Sequence, residues 1–567
     1  MKKNFCVLDI ETRGLSARPE SFVFGCVYGK EGLIKKVFHS IKEMKRYLFS
    51  QTDFKYIFAH NSEFDFTILF DNIILNLDTS ALFVGSMFIK AKKDNLVFMN
   101  SLAILKTSVS ELGKSYGKQK GILADKFKDA NLETEIRVTK EDIEYCFRDC
   151  EIVYDYLFKI FQLVGKIKPT VASCAMHIFT KQFLKRKFYF NKYIEKFRNS
   201  YYGGRVECFR FGKIIPCYKY DVNSLYPHVC IDMFFPDFNK IKKGKNLLSG
   251  YFEKFILKNY EGCVKVSIIH EKSFIGTLPY RKKTEIIYPF GKWVAWYNFN
   301  ELRTAIKTGF VKIETVFEYY YSPKIYFSDL AEYMKFFYWK KNTSKGAEKL
   351  IYKFLLNSLT GKFAQKEYGK KTYFENIHDA KQYLNSLRQK IKFKLHHFSE
   401  EREDLFLEVF RKNKKNKKLS RWNIPAISSY ITSQSRVFML PYYLKYKDTI
   451  CYTDTDSLVL SKPMEEITGN NLGEFKKEND EQIEIIGNKH YYTKIGRKKY
   501  KMIKGVHKKH TLRRGKFCFT KMIRTKEAIK RNLHAGMFVK VEKEMSNDYT
   551  KRNVIKNKTL TLKINET

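Results

Sequence analysis

The stretch Asp448–Ser461 reads DTICYTDTDSLVLS. It is apolar on either side of an acid–threonine–acid centre, the pattern of two strands folded on a tight turn. By itself an acidic turn is ordinary. It gains meaning from YKYDVNSLYP, Tyr218–Pro227, far upstream. There another strand runs into Asp221, and Pro227 stops it and can open a helix. A fold that carries Asp221 to Asp454 and Asp456 gathers carboxylates that repel one another unless cations lie between them. Such a cluster suits a pair of hard divalent ions and the chemistry of phosphoryl groups. The middle and carboxy-terminal parts around these stretches read as α+β.

Between the two acidic stretches, Glu332 to Lys366 is helical in period. In KLIYKFLLNSLTG, Lys349, Lys353 and Asn357 recur every four residues and share one side of the helix. Ile351, Phe354, Leu355 and Leu359 supply its apolar face. Lysines one turn apart repel, and a polyanion such as a triphosphate would relieve them. A plain solvated lysine face is the common alternative. Lys341 is a further candidate cation at the start of the segment.

The front of the chain has a different texture. NFCVLDIE, SFVFGCVYG and YIFAHN read as strands, and SEFDFTILF and KEDIEYCFRDCEIVYDYLFKIFQLV as helices. This α/β pattern fades near residue 165. Asp9 and Glu11 end a buried-looking strand two residues apart, so both carboxylates face the same way. Asp65 lies just inside a helix start, and Tyr145 and Asp149 are one helical turn apart. Four carboxylates and a tyrosine fit a hydrolytic site with two Mg²⁺ or Mn²⁺ ions, Tyr145 orienting the attacking water.

Composition narrows the partners. The 567 residues include 106 Lys and Arg against 60 Asp and Glu, a net charge of +46. Such a field draws polyanions, nucleic acid being the commonest, with membrane surfaces and acidic proteins as alternatives. The 38 Tyr and 49 Phe offer surfaces on which bases can stack. No apolar run approaches the roughly 18 residues of a membrane span. Asp9 and Glu11 interrupt the opening run, which makes a poor signal peptide. The eleven cysteines form no CxxC pair and suggest neither a zinc site nor a disulfide framework. A reducing, cytoplasmic location is expected. The run RKNKKNKK, Arg411–Lys418, reads as a solvated loop, with nucleic-acid contact as its functional alternative.

Taken in order, DIET (Asp9–Thr12), HNSEFDF (His60–Phe66), YCFRD (Tyr145–Asp149), YYGG (Tyr201–Gly204), DVNSLYP (Asp221–Pro227), KFLLNSLTGKF (Lys353–Phe363), YTDTDS (Tyr452–Ser457) and KKY (Lys498–Tyr500) resemble the motif series of family B DNA polymerases. The YYGG segment and the length resemble the protein-primed branch, which copies linear phage genomes and plasmids. The resemblance runs through nearly the whole chain. It implies a multidomain α/β and α+β protein: a ribonuclease H-like 3′–5′ exonuclease domain, then a palm, fingers and thumb polymerase with two insertions. The implied limits are 1–165 for the exonuclease, 166–231 for a linker and the start of the palm, and 232–330 for an insertion meeting the priming protein. They continue with 331–365 for the fingers, 366–420 for a DNA-encircling insertion serving strand displacement, 421–510 for the palm and 511–567 for the thumb.

The resemblance also implies roles. Asp9, Glu11, Asp65 and Asp149 would hold the exonuclease metals with Tyr145 assisting, and Thr12, Asn61 and Phe64 the frayed 3′ end. Tyr201, Gly203 and Gly204 would touch template between the two activities. Asp221 and Asp456 would be the main polymerase metal ligands, Asp454 a secondary one and Val222 a carbonyl ligand. Tyr226 would exclude a 2′-hydroxyl, Lys341, Lys349 and Lys353 would meet the triphosphate, and Asn357 would line the nucleotide pocket. Lys498 and Tyr500 would steady the primer terminus. Two Mg²⁺ (or Mn²⁺) per site, template and primer DNA, deoxynucleoside triphosphates and a terminal protein complete the expectation, for a monomer away from membranes.

Two features depart from the pattern. Thr360 stands where the family usually has a tyrosine, so an aromatic wall of the nucleotide pocket is lost. The segment between NSLTG and YTDTDS is also long. The competing readings are a nuclease with an idle polymerase half, a non-catalytic nucleic-acid-binding protein, and a reverse transcriptase. The complete Asp221, Lys353 and Asp456 set speaks against the first, and the exonuclease-like front against the last.

Overall fold

The computed structural model describes residues 4–15, 17–70, 81–117, 125–189, 191–365, 370–374, 377–386, 392–399, 402–410, 422–466, 468–478, 482–506, 510–524, 527–528, 536–545 and 549–565. The basic run Arg411–Lys418 lies outside the described residues.

The amino-terminal sheet has seven strands, in the order Ile34–Phe38, Phe22–Gly29, Phe5–Thr12, Tyr56–Ala59, Leu96–Asn100, Met87–Lys93 and Leu82–Val84. Phe5–Thr12, Tyr56–Ala59 and Leu96–Asn100 run parallel, and the flanking strands pair antiparallel. Phe5–Thr12 is covered on both faces. Phe5 and Val7 pack toward the helix Lys140–Val164, whereas Cys6, Leu8 and Ile10 join the core on the far side. That is why the strand reads as a continuous apolar run. The Phe5 ring stacks on Tyr154 of the helix at 4.6 Å. Thr139 and Asp142 form a capping box at the helix start, and Gly165 ends it at φ 74°. The fading of the α/β pattern near 165 is therefore a helix C-cap.

A second sheet is antiparallel throughout, in the order Phe475–Lys477, Tyr218–Val222, Ser457–Leu460, Ile450–Asp454 and Val206–Cys208. The helices Leu225–Asp232, Ser328–Thr343, Gly346–Lys362 and Pro425–Lys445 pack with it into one large core that also takes in Lys140–Val164. The single helical period read over Glu332–Lys366 is two helices, separated at Ser344 and Lys345. Gly346 has φ 52°, and a Cβ there would sit 2.4 Å from the Ser115 carbonyl oxygen, so the chain must turn at this point without a side chain. The Tyr333 hydroxyl donates to the Leu355 carbonyl at 3.0 Å and ties the helices together.

Three of the further sheets among the described residues bear on the frame. Lys242–Lys245, Val311–Ser322, Glu261–His270 and Phe290–Asn298 form a sheet whose fifth strand is the late segment Lys563–Asn565. Lys370–Phe374, Arg402–Phe410 and Lys392–Ser399 form a separate sheet. Lys498–Ile503 edges a sheet with His490–Ile495, Gln482–Gly487 and Gly212–Ile214. Among the described residues no helix is long and apolar enough to cross a membrane.

Candidate functional site

Antiparallel register decides the first cluster. Asp221, one residue before the end of its strand, stands directly opposite Ser457, the residue after Asp456. The Val222 N–H donates to the Asp456 carbonyl at 2.8 Å, and the Asp456 N–H to the Asp454 carbonyl at 2.8 Å. Burial raises the Asp221 carboxyl to about 7, the Asp456 charge adding to it. Asp456 is raised as well, by burial and then by Asp454. Asp454 is set apart: Lys489 Nζ lies 3.0 Å from its Oδ2. The strand ends at Val222, and Ser224, at φ 57°, turns the chain into the helix Leu225–Asp232, with Pro227 in its first turn. Tyr226 stands half-buried on that turn, its phenol pushed up to about 12 by burial, the Asp456 and Asp454 charges contributing.

The YYGG segment braces the acidic turn. Thr455, at its tip, has φ 63°, a conformation costly for a β-branched residue. Its N–H donates to the Arg205 carbonyl at 2.7 Å. A Cβ on Gly204 would sit 2.5 Å from the Thr455 side chain. Gly204→Val is therefore expected to lower stability by about 1–3 kcal/mol through overpacking. Thr455→Gly in the same chain should recover part of this loss, because it removes both the clash and the strained φ. Thermal unfolding of the two single variants and the double variant measures the coupling.

Arg436 holds the same segment from the other side. Its guanidinium pairs with Glu301 through two bonds of 2.6 and 2.8 Å and donates to the carbonyls of Tyr202 and Gly203, both at 2.8 Å. Both charged groups are buried. Arg205 pairs with Glu207 at 2.7 Å, and Arg552 of the late segment lies 3.8 Å from the same glutamate. Reading the sequence missed Arg436, Glu301, Arg205 and Lys489. The one available signal was a charge in the otherwise apolar SRVFML of a buried helix, where an unpaired charge is costly.

The lysines sit where the helix periodicity put them. Lys349, Lys353 and Asn357 are exposed along one side of Gly346–Lys362, with Ile351, Leu355 and Leu359 buried. Lys341, on the preceding helix, donates to the Ser224 hydroxyl at 3.2 Å. Its ammonium is pushed down by burial, with the Lys353 and Lys349 charges adding. The three cations thus lean on one another beside the first turn after Asp221. Thr360 faces inward, buried, and its carbonyl accepts the Ser428 hydroxyl at 2.5 Å. Asn223 joins this region to its surroundings, its amide donating to the Tyr338 hydroxyl at 3.0 Å. Lys498 and Tyr500 are exposed on their edge strand.

The second cluster lies on the amino-terminal sheet. Asp9 and Glu11 each bring a carboxylate oxygen, and Cys146 its sulfur, within 4.8 Å of one another. The Asp65 carboxylate is buried and accepts the Ile10 N–H, between the two acids. Burial raises it to about 7. Among the described residues its Oδ1 has no hydrogen-bond partner, a costly state that a cation would relieve. Asp149 and Asp9 line one cavity of about 410 Å³ with His60 and Ser108. Tyr145 is half-buried on the helix one turn before Asp149. The Thr12 hydroxyl donates to the Gly14 carbonyl at 2.8 Å. Asn61 takes φ 60° at the head of the helix Glu63–Phe70. The ring of Phe64 meets Phe538 edge-on at 6.4 Å, and Arg524 pairs with buried Glu63 at 2.9 Å. The late part of the chain therefore borders this cluster, a contact no local pattern announced. The cysteines read as scattered are in part brought together, since Cys26 and Cys150 lie beside Cys146. Both donor sets are oxygen-rich, with Glu11, Asp65 and Asp149 buried and Asp9, Asp221, Asp454 and Asp456 half-buried, and fit hard divalent cations.

A profile of DNA polymerase type B, organellar and viral, matches residues 40–443. A probable DNA polymerase of Podospora anserina is 28% identical over 460 residues, 68% of this chain and 36% of that one. The DNA-directed DNA polymerase of Enterobacteria phage PRD1 is 26% identical over 322 residues, 54% of this chain and 52% of that one. The chain spans about a third to a half of the length of the curated relatives it matches. Phi29 DNA polymerase, solved as a ternary complex with primer-template DNA and incoming nucleotide substrates, superposes with a TM-score of 0.69 at 16% identity, over 99% of this chain and 100% of that one. The likeness shows a shared fold over nearly the whole of both chains.

Proposed function

The chain belongs to the organellar and viral type B DNA polymerases, and from that premise we propose that it extends DNA primers on a DNA template and trims 3′ ends at a second site. The observation that carries this reading is the strand register that sets Asp221 opposite Ser457 and ties the Val222 N–H to the Asp456 carbonyl. Asp221, Asp456 and the Val222 carbonyl would hold two Mg²⁺ or Mn²⁺ ions, with Asp454 in support. Such ions neutralise phosphate charge and lower the pKa of an attacking hydroxyl. Lys353, with Lys341 and Lys349, binds the triphosphate and receives the charge that develops on it. Asn357 lines the nucleotide pocket. Tyr226, kept a neutral phenol by its burial, lies under the incoming sugar. Tyr201, Gly203 and Gly204 follow the template, and Lys498 and Tyr500 hold the primer end.

At the amino-terminal site Asp9, Glu11, Asp65 and Asp149 would hold the ions for hydrolysis. Tyr145 orients water, and Thr12, Asn61 and Phe64 hold the unpaired 3′ end. The proposed division is 1–165 exonuclease, 166–231 linker and start of the palm, 331–365 fingers, 421–510 palm and 511–567 thumb. Segment 232–330 is the proposed contact for a priming protein and 366–420 the aid to strand displacement. The proposed state is a monomer in the cytoplasm, that of the host cell if the chain is phage-encoded. Extension of a labelled DNA primer on a long template with Mg²⁺, with and without a candidate priming protein, tests the reading. Absence of any template-dependent product would end it.

Two smaller results follow. Tyr226→Val is expected to relax discrimination against ribonucleotides by at least about tenfold; unchanged discrimination in single-nucleotide insertion removes the gate. The pH effect concerns Asp65 and Asp221, both raised to about 7. In the cation-free fold their protonated forms are favoured. The stability they contribute is present at acid pH and is lost as pH rises from the ordinary carboxylate range through about 7. Cations bind the ionised forms, so the gain in Tm from Mn²⁺ should grow as pH rises through that window. A gain independent of pH would contradict the assignment.

A further inference from the structure

The cluster at Asp9 and Glu11 includes a sulfur. The Cys146 thiol is fully buried and donates to the Asp9 carbonyl at 3.6 Å and to Asp9 Oδ2 at 3.9 Å. Its sulfur and one oxygen each from Asp9 and Glu11 all lie within 4.8 Å of one another. The helix Lys140–Val164 presents Cys146 on its buried face, toward the strand that carries both acids. A separate observation points to a cation at the same place. Asp65, 2% exposed, accepts the N–H of Ile10 between the two acids, and its Oδ1 has no partner among the described residues.

Oxygen donors alone favour Mg²⁺, whereas a thiolate favours Zn²⁺ or Cd²⁺. We infer that Asp9, Glu11 and Cys146 form a mixed oxygen and sulfur site that binds thiophilic divalent cations. Toward Mg²⁺ the neutral thiol only donates to Asp9. Toward a thiophilic ion a sulfur–metal bond forms, the thiol proton passes to the buffer, and no oxidation state changes. As a description of this site's ion preference, the inference rests on reading the acids as the nuclease metal ligands. Its consequence is that Zn²⁺ or Cd²⁺ displaces the ions that support 3′ trimming.

The test is titration of the full-length protein, kept reduced with a phosphine and held in excess Mg²⁺, with Cd²⁺. The readout is the ultraviolet thiolate-to-cadmium charge-transfer band. The wild type should show a saturable band, retained by Cys26→Ser and Cys150→Ser and lost from Cys146→Ser. Asp9→Asn combined with Glu11→Gln should weaken Cd²⁺ binding by at least about 10- to 100-fold, since even a supporting partner of a metal ligand carries that much affinity. If Cys146→Ser misfolds, the Asp9 and Glu11 double variant alone decides. A band that survives in Cys146→Ser, or that is indifferent to the double variant, overturns the inference. Wild-type trimming in Mg²⁺ with no cadmium band overturns the inference and leaves the nuclease reading intact. A band that depends on all three residues, in a protein that trims no 3′ ends, upholds the site and overturns the nuclease reading.

Discussion

An Asp456→Asn variant is expected to lose template-directed synthesis by at least about 10³-fold, equivalent to about 4 kcal/mol in the barrier, while still trimming 3′ ends. The substitution keeps the shape of the turn. The Asp456 N–H can still donate to the Asp454 carbonyl, and its carbonyl can still receive Val222. What disappears is the charge. Burial and Asp454 already make that charge costly without a cation, so the cation-free variant should unfold at no lower temperature than the wild type. Lost synthesis with an unchanged Tm separates a lost ligand from a damaged fold. Primer extension and thermal unfolding on the same preparation provide both numbers, and undiminished synthesis would remove Asp456 from the site.

Asp9→Ala combined with Glu11→Ala should produce the converse. Degradation of a labelled single strand from its 3′ end falls by at least about 10³-fold, and extension stays near the wild-type rate. The expectation is physical, because the two clusters lie on different sheets. Asp9 and Glu11 belong to the seven-stranded sheet, and Asp221 lies on the antiparallel sheet with Asp456 in the turn between two of its strands. Truncating both acids also removes two like charges held close to each other, so a loss of fold is not the expected route. Equal loss of both activities would mean that the amino-terminal cluster acts on the whole enzyme instead of on 3′ ends.

Much of this could be read from local spacing. The strand FCVLDIET, the helix from Lys140 with its Gly165 stop, and the lysine face of Gly346–Lys362 all follow from apolar periodicity and capping residues. Where a local cause was hidden, the reading slipped. The helical period over Glu332–Lys366 continued through a break that Gly346 makes by its approach to the Ser115 carbonyl, a residue in another part of the chain. The cysteines showed no metal spacing because the partners of Cys146 are carboxylates on a strand, not cysteines on its own helix.

The sequence alone determined the strands and helices that carry the motifs around Asp9, Asp149 and Lys353, which residues carry charge, and the order of the acidic motifs, because each depends on neighbours within a turn or two. Only the tertiary structure decided that Asp221 faces the Asp456 turn, that Gly204 lies against Thr455, and that Arg436 grips Glu301 and the backbone before Gly204. It alone set a sulfur beside Asp9 and Glu11, and Arg524 against Glu63. Those pairings depend on strand register and on how buried faces interlock, which are settled by packing the whole core at once and leave no trace in the spacing of residues along the chain.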